Sequence, residues 1–130
     1  VKTTTKKRIP GWGLRPGLAI GCKITLRGKK AEEIFEKLIK GKDNILSNKQ
    51  FDENGNIAFG IHEYIDVPDL EYDPKIGIMG FEVCVTLKRP GYRVKKRFKA
   101  KRKIGKNHII KKEEAMEFIK NKFSVKIGED

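Results

Sequence analysis

Hydrophobic residues recur along this chain with two different periods, and each change of period marks a new element. Ile20, Cys22, Ile24 and Leu26 alternate with Gly21, Lys23, Thr25 and Arg27, as a half-buried strand requires, and Gly28 ends the run. Ala31, Ile34, Phe35, Leu38 and Ile39 then fall at helical spacing, which predicts a helix over about 29–40. Glu33–Lys37 and Glu36–Lys40 are i,i+4 pairs on its outer face, and Gly41 is placed as the left-handed residue that ends it. Residues 42–56 are polar and close on the turn signal Asn54-Gly55. Ile57, Phe59 and Ile61 alternate as a short strand. Residues 62–77, with Pro68 and Pro74 among several acids, read as loop. Phe81, Val83, Val85 and Leu87 alternate with Glu82, Cys84, Thr86 and Lys88 as another strand, broken by Pro90-Gly91. Ala115, Met116, Phe118, Ile119 and Phe123 form the apolar stripe of a second helix over about 112–123, with no Ser, Thr, Asp or Asn at its N-cap. Glu113 and Glu114 lie at its positive end, and Lys120 and Lys122 at its negative end. Residues 125–127 add a short last strand.

This order predicts an α+β domain, residues 1–130, with a mostly antiparallel sheet, helices packed on one side, and an insertion before the last helix. Residues 1–17 are an arm and turn without periodicity, 18–87 the body, 88–112 the insertion, and 113–130 the last helix and tail. At 130 residues the chain can bury a real core. Cys22 and Cys84 each sit in a strand-like run, which suits buried, reduced thiols better than a disulfide framework. No apolar run approaches the ~18 residues of a membrane span, and no signal-peptide core opens the chain, so a soluble, intracellular protein is expected.

Charge changes the picture. Lys and Arg number 30 against 17 acids, a net +13, and 36% of residues are charged, well above the usual quarter. The excess is segregated. Residues 1–31 hold nine Lys/Arg and no acid, and residues 88–112 hold thirteen and no acid. Residues 32–87 carry twelve acids against five bases, and 113–130 five against three. A charge run is ordinarily a solvated face. Thirteen like charges without a counter-charge repel one another, however, and phosphates relieve that repulsion while releasing counterions. Tyr92, Val94 and Phe98 interrupt the run and could anchor the loop or stack on bases. RNA-binding candidates here are Arg89, Tyr92, Arg93, Lys95, Lys96, Arg97, Lys99, Lys101, Arg102, Lys103 and Lys106. In the arm they are Lys6, Lys7, Arg8, Trp12 and Arg15.

Catalytic and metal motifs do not assemble. His62-Glu63 begins like a zincin helix, but the second His position is Asp66. Gly11, Gly13 and Gly17 miss the dinucleotide spacing, and Gly41-Lys42 is followed by Asp43 instead of Ser or Thr. Cys22 and Cys84 are too far apart in sequence for a zinc half-site. Asp52, Asn54, Asn56 and Glu63 match four positions of a calcium loop, but Ile57 stands where only Gly permits the sharp turn, so turn chemistry explains them. His62 and His108 have no evident partner. No catalytic residue, metal or cofactor is expected.

The stretches Lys6-Lys7-Arg8-Ile9-Pro10-Gly11-Trp12-Gly13-Leu14-Arg15 and Pro16-Gly17-Leu18-Ala19-Ile20-Gly21-Cys22-Lys23-Ile24-Thr25-Leu26-Arg27-Gly28 resemble the central block of the large-subunit ribosomal protein five family, whose members bind 5S rRNA. Gln50-Phe51-Asp52-Glu53-Asn54-Gly55-Asn56-Ile57-Ala58-Phe59-Gly60-Ile61 resembles that family's Ser-Phe-Asp-x-x-Gly-Asn stretch, with Gln for Ser. The likeness continues through His62-Glu63-Tyr64-Ile65-Asp66 and Tyr72-Asp73-Pro74-Lys75-Ile76-Gly77-Ile78-Met79-Gly80. Arg89-Pro90-Gly91-Tyr92 and the basic insertion resemble archaeal or eukaryotic members.

The resemblance implies a ribosomal protein of the central protuberance, cytoplasmic with the ribosome, with 5S rRNA contacts at Trp12 and Arg15. It implies further contacts with large-subunit rRNA, neighbouring 5S-binding proteins and a small-subunit head protein. Residues 44–56 match the family's loop toward the peptidyl-site tRNA, with Ser47, Asn48 and Lys49 nearest. No membrane partner is implied. Family members begin with a further strand and helix that have no match here, so the chain is expected to be the larger C-terminal part of such a protein. Two other classes compete: an extra-ribosomal module for RNA or an acidic protein, and a nucleic-acid enzyme using Asp66, Asp69, Glu71 and Asp73, which read more simply as an acidic turn.

Overall fold

A computed structural model describes residues 1–128. The backbone gathers into two compact units, residues 1–33 and residue 34 onward.

The first unit is a hairpin. Strand β1 (Lys2–Thr4) pairs antiparallel with β2 (Ala19–Cys22), Lys2 opposite Cys22 and Thr3 opposite Gly21, with an irregularity before Thr4. The arm expected over residues 1–11 therefore begins as a strand. Its Thr3-Thr4-Thr5 run is β-favouring without being periodic, because neither face of this ribbon is covered within the unit. The strand expected over residues 20–26 is correspondingly shorter, and it is not half-buried: Ile20 is 60% and Ile24 80% exposed. Cys22 and Cys84 are both exposed, contrary to the buried thiols expected. Alternation assigns each to a strand face but does not say whether that face is covered.

In the second unit, β3 (Ile45–Ser47) pairs parallel with β6 (Lys126–Gly128), Leu46 opposite Ile127. Strand β4 (Asn56–Ile61) pairs antiparallel with β5 (Phe81–Thr86) over all six residues, from Asn56–Thr86 to Ile61–Phe81. The α+β class holds, and two of the three strand pairings are antiparallel, each in its own two-stranded sheet. Ile57, Phe59 and Ile61 point inward from β4, as their alternation requires.

Helix α1 (Lys29–Lys40) and helix α3 (Lys112–Phe123) occupy the predicted spans; α2 (Arg93–Lys96) is a single turn. The core joins Phe35 and Ile39 of α1, Leu46, Phe51, the inward residues of β4, Val67, Val83, Ile110, Ala115 and Ile119 of α3, and Val125. Phe35 meets Phe123 edge-on, with ring centroids 4.9 Å apart. Phe118, expected in the apolar stripe, is 45% exposed with the Lys122 ammonium 5.4 Å from its ring centroid. Of the expected i,i+4 pairs Glu36–Lys40 forms at 4.0 Å, while Lys37 turns to Asp69 at 3.3 Å. Gly41 is not left-handed; the positive φ after α1 falls on Asp43 and Asn44, both at 57°. At the other helix the missing N-cap side chain is replaced from within: the Lys111 amide donates to the Glu114 carboxylate at 3.5 Å. Among the described residues no helix is long and apolar enough to cross a membrane.

Candidate nucleic-acid interface

The hairpin carries the arm candidates. Ile9 and Leu14 exchange backbone hydrogen bonds, each at 3.1 Å. Between them the 3-10 turn Pro10–Trp12 closes on Gly13, whose φ of 67° favours a residue without a Cβ. Below the tip, Thr5 ties the two sides together. Its amide donates to the Leu18 carbonyl at 2.9 Å, its carbonyl accepts from Gly17 at 2.9 Å, and its hydroxyl donates to the Arg15 carbonyl. Trp12 stands at the tip, 76% exposed, and Lys6, Lys7, Arg8 and Arg15 are exposed on the flanks. A large aromatic held in solvent among cations is what a stacked base and its phosphates require.

The basic insertion is folded, not a loose loop. Arg89 forms an ion pair with Glu114 at the start of α3. His108 Nε2 lies 2.7 Å from the Pro90 carbonyl, which can only accept, so that nitrogen carries the proton. The Tyr92 hydroxyl donates to the His108 carbonyl at 3.1 Å and accepts from the Ile110 amide at 2.9 Å. Ile110 is buried in the core, so this latch fastens both ends of the insertion to the body. Further out, the Arg102 amide donates to the Val94 carbonyl at 3.2 Å, and Arg97 Nε to the Ala100 carbonyl at 2.9 Å.

These bonds sort the candidates. Arg93, Lys95, Lys96, Lys99, Lys101, Arg102, Lys103 and Lys106 are exposed. Arg89 is engaged with Glu114, Arg97 is half-buried against its own turn, and Tyr92 serves as an anchor through its hydroxyl. His108, without an evident partner in the sequence, is the residue that sequence reasoning missed. Its partners lie 16 and 18 positions away, beyond any local pattern.

Residues 44–56 are more ordered than the loop expected there. They hold β3, then the 3-10 turn Asn48–Gln50, with Leu46 and Phe51 buried. The Ser47 amide donates to Gln50 Oε1 at 2.8 Å, and Ser47 Oγ accepts from the Lys49 amide at 3.3 Å. Ser-x-x-Gln is a capping signature that could have revealed the turn. Lys49 is exposed, whereas Ser47 and Asn48 are half-buried.

The carboxylates that mimic a metal site are used in turns. Asp52 accepts from the Glu53 amide at 2.7 Å and from Asn56 Nδ2 at 3.1 Å. Asp73 accepts from the Lys75 amide at 2.9 Å, and Asp69 pairs with Lys37. The surfaces described can neutralise phosphates and offer aromatic faces.

Comparison with known proteins places this geometry. The family model for the C-terminus of the uL5 family of ribosomal proteins matches residues 19–118. The large ribosomal subunit protein uL5 of Sulfurisphaera tokodaii is 48% identical over 130 residues, covering 99% of this chain and 73% of that protein. Its namesake from Methanosphaera stadtmanae is 43% identical over 127 residues, covering 98% of this chain and 76% of that one. The protein of that name from Nitrosopumilus maritimus is 42% identical over 117 residues, 90% of this chain and 68% of its own length. A matched family model over most of the chain, together with relatives at this identity, establishes that the chain belongs to the uL5 family of ribosomal proteins.

Proposed function

We propose that this chain is a structural constituent of the large ribosomal subunit, working in the cytoplasm as part of the ribosome and binding RNA without catalysing a reaction. Relatives named for the large ribosomal subunit support the role. The single observation that carries the RNA contact is Trp12, 76% exposed at the tip of a cross-tied hairpin flanked by Lys6, Lys7, Arg8 and Arg15.

In this function the hairpin supplies the specific contact to 5S rRNA, with Trp12 stacking and Arg15 reaching phosphate or base edge. The basic insertion contributes counterion release against large-subunit rRNA generally. Lys49, with Ser47 and Asn48 behind it, faces the peptidyl-site tRNA. The small-subunit head protein and the neighbouring 5S-binding proteins are its protein partners.

The test is a salt titration of binding to 5S rRNA. Affinity is expected to fall steeply with salt, and Arg15→Ala to weaken 5S binding selectively, lowering the salt slope by about one. Equal affinity for 5S rRNA, tRNA and duplex DNA at moderate salt would sink the specific assignment.

A further inference from the structure

Three apolar side chains interrupt the basic insertion, and the fold treats them differently. Tyr92 is spent on the latch to His108 and Ile110. Val94 is half-buried, and its carbonyl accepts from Arg102. Phe98 is 93% exposed, the most exposed large hydrophobic side chain among the described residues.

The exposure of Phe98 is built in. Arg102 bonding back to Val94 closes a short loop, so residues 95–101 project from a fixed base. Within that loop Arg97 Nε holds the Ala100 carbonyl, and Ala100 takes a left-handed φ of 52°, fixing the turn on which Phe98 sits. The nearest charged side chains in sequence are Arg97 and Lys99, and residues 88–112 contain no acid. An apolar ring set in a cationic frame fits a ligand that offers a π-face beside negative charge. An unpaired base with its own phosphates has both; a paired base within a duplex hides its face in the stack.

We infer that Phe98 is a base-stacking residue, which takes an unpaired nucleotide of ribosomal RNA while Lys99, Lys101 and Arg102 hold the adjoining phosphates. The inference rests on the RNA-binding function proposed above and adds a preference for unpaired over paired RNA at a site separate from the hairpin tip.

The experiment measures binding of the full chain, across a salt series, to an RNA stem bearing one bulged adenosine and to the same stem fully paired. The wild-type chain is expected to prefer the bulged stem. Phe98→Ala and Phe98→Leu are each expected to lose about tenfold on the bulged stem alone, with the salt slope unchanged. Phe98→Tyr, which keeps the ring, is expected to stay within about twofold of wild type. No preference for the bulge, or a Leu variant that binds it as well as Phe does, overturns the stacking role. Steep salt-dependent binding with no effect of Phe98→Ala removes this inference and leaves RNA binding standing. Failure of the wild-type chain to bind either stem in a salt-dependent way removes both.

Discussion

The rings of Tyr92 and His108 meet edge to face, with centroids 5.5 Å apart, and the Tyr92 hydroxyl donates to the His108 carbonyl. This contact joins the start of the thirteen-cation insertion to its end, and through Ile110 to the core. Like charges crowded into one segment favour its expansion. A directional hydrogen-bond pair at the neck opposes that expansion without placing an acid among the cations.

Removing only the hydroxyl tests the latch. Tyr92→Phe keeps the ring and leaves the Ile110 amide without its acceptor, so a loss of about 1–2 kcal/mol in stability is expected. Hydrogen exchange at the Ile110 amide should quicken in the same variant. Unchanged exchange there would show that the latch does not hold the insertion closed.

The turn before β4 offers a sharper steric test. Gly55 has φ 79°, and a Cβ on it would lie 2.8 Å from Ile110 Cγ2. Gly55→Ala therefore faces both backbone strain and overpacking, with an expected cost of about 1–3 kcal/mol. Gly105, where an added Cβ meets nothing within 4 Å, is the control, and its Ala variant should stay within about 0.5 kcal/mol of wild type. Equal denaturation midpoints for the two variants would contradict this account.

Leu46 is fully buried although it lies on a strand of three residues. Leu46→Ala is expected to cost about 2–5 kcal/mol, read from denaturant unfolding. A change below about 1 kcal/mol, half the low end of that range, would mean that the site collapses around the loss.

Thr5 separates geometry from charge at the hairpin. Thr5→Val removes the hydroxyl that holds the Arg15 carbonyl and changes no charge. Weaker 5S rRNA binding with an unaltered salt slope is expected, in contrast to Arg15→Ala, which should lower the slope by about one. If Thr5→Val instead flattens the slope, the hydroxyl does not act by positioning.

Helices α1 and α3 were legible in the sequence because twelve-residue segments carry several turns of the 3.6 period. β4 and β5 were legible through their alternation and through Asn54-Gly55. β1 and β3 were not, since three residues give no period and their partners lie far along the chain. Alternation also misplaced Ile20, Ile24 and the two cysteines, because it reports that two faces differ and not that either is covered. At the candidate site the charge segregation was plain from composition. The division of Tyr92, Val94 and Phe98 into anchors and a projecting ring was not, because it depends on Ile110, His108 and Arg102 returning to them in space.

The parallel pairing of β3 with β6 sets an order on synthesis. Ile45 leaves the peptidyl-transferase centre about eighty residues before its partner Lys126 is made, and closing so long a loop is entropically slow. Until then Leu46 lacks its neighbours from β6, while the whole cationic insertion has already been translated. The nascent chain thus presents its strongest RNA-attracting segment before its interior can close, beside a ribosome rich in the same polymer. A neck that latches locally, between Tyr92 and His108, lets that segment take its shape before the last strand arrives.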